Sequence, residues 1–143
     1  MSFSLREKLF GQEHTATIEV LGRQFSVRTL SMPEEVEVTR SVGAINTYWE
    51  YLEARKIPTL ARGIVAIDGV FCRDFDEIKQ LLRTNPQLTL IQALESELRD
   101  TSLYPEEVIT AIYGEYAKFR AEFRQKLDAL KKNSPPTNPA PTG

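Results

Sequence analysis

The chain has 143 residues, 41% of them hydrophobic and 27% charged, which is enough for one domain with a modest core and too apolar for a disordered segment. Eighteen basic against twenty acidic side chains leave a formal net charge of -2, so no global pull toward nucleic acid or anionic membrane exists. The single cysteine, Cys72, excludes an internal disulfide and any zinc site built from several cysteines.

The opening stretch carries Phe3, Leu5, Leu9 and Phe10 as an amphipathic turn before Gly11 breaks the pattern. Neither a signal-type apolar stretch nor an 18-residue apolar run occurs, so a soluble, non-secreted protein is expected. From Thr15 the pattern alternates: Ile18 and Val20 point one way, Thr17 and Glu19 the other. Gly22-Arg23 reads as a two-residue type II′ hairpin loop with glycine first. That register sets Val20 opposite Phe25 and Ile18 opposite Val27, with all four on one face. The hairpin spans about residues 15–30, and its face needs a cover of helices or another sheet.

Ser31, Pro33 and Glu34 form a helix start with a capping box, which predicts a helix from Met32 to Arg55 carrying Val38, Val42, Ile45, Trp49 and Leu52. Lys56-Ile57-Pro58 is expected to end it. Leu60–Ile67 fits a helix or a strand, and the spacing of Leu60, Ala61, Ile64 and Val65 favours a helix. Asp68-Gly69 marks a turn before a short extended piece, Val70–Cys72. Asp74, with Glu77 three residues on, caps a helix over Phe75–Arg83. Asn85-Pro86 opens another, with Leu88, Ile91, Leu94 and Leu98 on one face, ending near Arg99 and Asp100.

The last helix, Pro105–Lys132, has acids in its first turn and Lys131 and Lys132 in its last, in agreement with the helix dipole. Ile109, Ile112, Tyr116, Phe119, Phe123, Leu127 and Leu130 recur every three or four residues as one stripe. At about 1.5 Å per residue the helix extends roughly 42 Å, longer than so small a domain requires. Part of the stripe therefore faces either the chain's own core or a partner. From Glu115 to Lys132 six basic side chains stand against three acidic ones, a pattern shared by core-facing helices, groove-binding helices and helices lying on membranes. Residues 133–143 are rich in proline and carry no large apolar side chain, as expected of an extended or disordered tail. Pro136 and Pro139 have PxxP spacing. The economical parse is one α+β domain over residues 1–132, an N-terminal β-hairpin followed by four to five helices, plus the tail.

Catalytic candidates are sparse. His14, beside Glu13, has no serine motif or second ligand near it in the sequence and reads as a solvated loop residue. Cys72, beside Phe71, reads as core packing. Asp74, Asp76 and Glu77 have the alternation of a cation loop but lack its mid-loop glycine and further ligands. The scattered glycines form no phosphate-cradling loop or nucleophile elbow. No cofactor, metal or catalytic residue is expected, and a non-enzymatic role is.

Taken in order, the hairpin Thr-Ala-Thr-Ile-Glu-Val, Gly-Arg, Gln-Phe-Ser-Val-Arg-Thr-Leu, the acidic helix opened by Ser-Met-Pro-Glu-Glu, the segment Ala-Arg-Gly-Ile-Val-Ala-Ile-Asp-Gly-Val and the acidic-to-basic helical C-terminus resemble small tail proteins of bacteriophages. The likeness is to the tail-assembly and baseplate-hub assembly proteins of long-tailed phages, and it covers roughly residues 13–132. It implies a role as a chaperone of tail subunits or a minor structural piece, in the virion tail or baseplate or in the host cytoplasm during assembly. The implied partners are other tail or baseplate proteins; self-association is a further expectation, and the charge balance and the lack of a long apolar run lead us to expect neither nucleic acid nor membrane insertion. The candidate interfaces are the hairpin face, Ile18, Val20, Phe25 and Val27, and the terminal stripe at Tyr116, Phe119, Phe123 and Leu127. A bacterial adaptor or regulatory module that binds a membrane surface or a peptide through the same helix is the alternative.

Overall fold

The computed structural model describes residues 15–44, 47–100 and 105–133. Four antiparallel strands form one sheet in the order β1-β2-β3-β4: β1 Thr15–Val20, β2 Arg23–Arg28, β3 Ile64–Ile67 and β4 Val70–Phe71. Three helices lie between β2 and β3: α1 Met32–Val42, α2 Tyr48–Ala54 and α3 Lys56–Gly63. A 3₁₀ turn, Cys72–Asp74, follows β4, and then come α4 Asp76–Thr84, α5 Leu90–Leu98 and α6 Glu106–Asn133. The fold is α+β, with an N-terminal hairpin and a long C-terminal helix. The opening turn at Phe3–Phe10, His14 and the tail from Ser134 on lie outside the described residues.

The hairpin loop has the expected two residues but sits one position earlier in the chain. Leu21 and Gly22, at φ 53° and 77°, form the two-residue loop, so both central residues are left-handed as a type I′ turn demands. Val20 therefore pairs with Arg23 and Ile18 with Phe25, and Ala16 rather than Ile18 faces Val27. The register slips by an even number of residues, and the four apolar side chains keep their common face. What fixes it is Asp68, 44 residues away: its carboxylate accepts from the Gln24 N–H at 2.9 Å and from Arg23 at 3.1 Å, while its own N–H donates to the Gln24 carbonyl at 2.7 Å.

The expected helix over Met32–Arg55 is two helices. The Ser31–Glu34 capping box opens α1 as expected, but Gly43, at φ 72°, stops it. Thr47 then caps α2 by accepting from the Glu50 N–H at 3.1 Å. A helix does end just before Lys56-Ile57-Pro58, at Ala54, and the same three residues then start α3, because proline is tolerated in a first turn. Leu60–Ile67 divides: Leu60–Gly63 complete α3, and Ile64–Ile67 become β3, paired with β2 and β4. Asp74 sits in the 3₁₀ turn and does not cap α4; Phe75 stands at that position without a side-chain bond. Thr89, boxed with Gln92, starts α5 four residues later than Asn85-Pro86 suggested. The described helices thus number six, one more than the upper expectation.

The core lies between the inner face of the sheet and helices α3 and α6, and Val20, Phe25, Val27, Leu60, Ile64, Cys72 and Tyr116 are central to it. Tyr116 is wholly buried and donates its hydroxyl to the Arg28 carbonyl at 2.7 Å. The helix tolerates that ring only because Gly63 has no side chain: a Cβ there would meet Tyr116 Cζ and Oη at 2.7 Å.

Glutamates of α1 each reach a different element. Glu34 pairs with Arg28 of β2, Glu35 with Arg55 at 2.8 Å and with Arg120 of α6, and Glu37 with Arg62 of α3 at 3.2 Å. Arg62, almost fully covered, also pairs with Glu95 of α5 at 3.0 Å and donates to the Pro58 carbonyl, so its fork is satisfied.

Candidate interaction surfaces

Helix α6 begins at the Pro105 carbonyl, which accepts from Val108 and Ile109, with Glu106 and Glu107 in its first turn. Its stripe changes surroundings along its length. Ile109, Ile112, Tyr116 and Phe119 are buried against the sheet and α3; Phe123 is half-buried, and Leu127 is 36% exposed. Tyr116 and Phe119 stack at 6.0 Å, and Arg120 lies over the Tyr116 ring at 5.8 Å while held by Glu35. Burial pushes the Tyr116 phenol up to about 12, against the opposing pull of Arg120 and Arg28.

The hairpin candidates are placed differently. Val20, Phe25 and Val27 are core residues and Ile18 packs against them, so this face is turned into the chain's own body. The pairing with β2 leaves the Thr17 and Glu19 backbone directed away from it, along the outer edge of the sheet.

A surface that periodicity did not reveal lies at α2. Sequence reasoning placed Trp49 on the apolar face of a continuous helix; after the break at Gly43 it stands 76% exposed beside Tyr48, itself 70% exposed, the rings edge to face at 6.3 Å. The signal was present in Thr47 and Glu50, the cap of a new helix whose phase is independent of α1. Trp49 forms one wall of an open groove of about 630 Å³, floored by Ala54, Ile57, Leu98 and Ile109. Cations at its rim are tied within the chain, Lys56 to Glu53 at 2.9 Å and Arg99 to Glu95 at 3.2 Å.

A more enclosed, largely apolar cavity of about 410 Å³ lies between the hairpin, α3, α4 and α5, with Cys72 in its wall and Asp68, Glu77 and Glu97 around it. Burial pushes the Cys72 thiol up to about 11, and its Sγ contacts the Ile64 carbonyl at 3.5 Å, so it is a protonated core group at neutral pH. Burial, and then Glu77 and Asp100, raise the Glu97 carboxyl above its ordinary value. Among the described residues no three His, Cys, Asp or Glu side chains are placed to hold a metal ion, and no helix is long and apolar enough to cross a membrane.

Comparison with family models, with curated proteins and with solved structures finds no match.

Proposed function

We propose that this chain is a non-enzymatic tail or baseplate protein of long-tailed bacteriophages, which acts through contacts with other tail proteins as a structural component or an assembly factor. The resemblance of residues 13–132 in layout to such proteins supplies the biological setting. The observation that carries a contact role is the α6 stripe: its spacing continues unbroken while burial falls from complete at Tyr116 to 36% exposure at Leu127. A groove-binding helix presents its anchors at this i, i+4 spacing. The test is a protein gel of purified virions together with affinity capture from infected cells. Stoichiometric presence in particles marks a component; absence from particles with capture of free tail subunits marks an assembly factor. Absence from both sinks the proposal.

The adaptor reading draws on Arg124 and Lys126, both exposed on the outer half of α6. Flotation with anionic vesicles at low salt is its test, and a chain that stays unbound leaves that reading without its motive.

A further inference from the structure

Trp49 and Tyr48 form the largest aromatic surface that the described residues leave in water, and the groove beside them is apolar and open, its rim cations Lys56 and Arg99 engaged with the chain's own carboxylates and Glu50 and Glu106 standing beside them. An occupant that fits it carries no acidic side chain, is slender and is able to stack against an aromatic wall. Proline-rich extended segments meet all three requirements, because their rings pack on tryptophan and tyrosine while their preformed conformation loses little entropy on docking. The same chain carries a proline-rich sequence. Ser134–Gly143 contains four prolines and no charged side chain.

Reach decides whose groove it fills. The groove sits at Ile109 and Thr110, in the first turns of α6, and the tail departs after Asn133. At about 1.5 Å per residue those 23 residues of helix separate the two by roughly 35 Å. Pro135–Pro141 lie within eight residues of Asn133, which at about 3.3–3.6 Å per residue allow at most roughly 29 Å when fully extended. A tail folded back along its own helix falls short by about 6 Å even at full extension. We infer that the proline-rich tail of one copy docks in the Trp49 groove of a second copy, a head-to-tail contact that leaves each pair with one free groove and one free tail. Such a heterologous interface extends into rings or open chains instead of stopping at a dimer. This inference stands whether or not the chain serves a phage tail.

Complementation tests it. The intact chain should self-associate with concentration in sedimentation velocity, whereas a chain ending at Asn133 and the Trp49→Ala variant should each be monomeric, with melting curves like that of the intact protein because Trp49 is exposed. Mixed together, they should form a one-to-one complex and nothing larger, since one supplies only the tail and the other only the groove. Trp49 is the sole tryptophan. Its emission in the shortened chain should therefore shift to the blue when a peptide of residues 133–143 is titrated in, and Tyr48→Ala should weaken that binding by about tenfold or more. Self-association that survives removal of the tail, or a mixture that stays monomeric, overturns the inference. A blue shift with lipid vesicles but none with the peptide overturns it in favour of a lipid occupant.

Discussion

Three aspartate substitutions along one helix separate the part of α6 that holds the domain together from the part assigned to the proposed partner contact. Phe119 is 7% exposed, so Phe119→Asp forfeits nearly the whole transfer free energy of a phenylalanine, about 2–3 kcal/mol, and adds the cost of a carboxylate in apolar surroundings, several kcal/mol more. Against a total stability of about 5–15 kcal/mol, that sum unfolds the protein or lowers its melting temperature by roughly 15 °C or more. Phe123 is half-buried, and the same change there should cost about 1–2 kcal/mol. Leu127→Asp lies on an exposed turn and should stay within about 0.5 kcal/mol of the parent while abolishing capture of the partner. Urea titrations give the stabilities, and affinity capture reads association at a temperature where all folded variants are native. The reasoning is refuted if Leu127→Asp destabilises as strongly as Phe119→Asp, or if Phe119→Asp leaves the midpoint unmoved.

Other sites make sharp claims about the fold itself. Gly63→Ala should cost about 1–3 kcal/mol by urea titration even though alanine favours the helix, because its Cβ runs into a buried Tyr116 ring pinned by its bond to Arg28; an unchanged midpoint would show that the ring can move aside. Thr59 Oγ1 is buried with no hydrogen-bond partner among the described residues, so Thr59→Val should leave stability equal or higher by about 1 kcal/mol, and a loss beyond that would reveal a partner for the hydroxyl. Burial alone would raise the Glu34 carboxyl, but the Arg28 fork and the Ser31 cap hold it at about 2, below its ordinary 4.5. Its contribution is therefore complete above about pH 4.5 and is lost as pH falls toward 2, so the urea midpoint of the parent should drop more steeply over that window than that of Glu34→Gln. Parallel curves would remove Glu34 from the acid response.

What was legible in the sequence was what local pattern determines. Alternation fixed which residues of the hairpin share a face, and a capping box with proline placed the start of α1, since both depend on neighbours within four residues. The hairpin register was not legible, because it is latched by Asp68 from another hairpin turn. Nor was β3: Leu60–Ile67 is apolar throughout, and only the β2 edge waiting beside Ile64 decides that helix gives way to strand there. The same limit hid the exposure of Trp49. A residue's place on a stripe is meaningful only while the helix stays in phase, and the break between Gly43 and Thr47 resets that phase. The ion pairs of the α1 glutamates lay beyond local pattern too, because their arginines stand from 6 to 85 residues away along the chain.

Those glutamates also explain how one helix serves two ends. Arg120, gripped by Glu35 together with Arg55, is the last α6 residue with an ion pair to another element among the described residues. From Arg120 to Asn133 the helix continues for about 20 Å at its ordinary rise, and of its described side chains only Phe123 stays half-covered. Thirteen residues alone would be a marginal helix in water, yet here the nucleating turns are already formed and fastened to the body, so each further residue needs only propagation. The projecting stripe is thus preformed before it meets anything. Little ordering entropy would remain to be lost in the proposed docking, and what Phe123 and Leu127 could add to it is the burial of the part of each side chain still open to water.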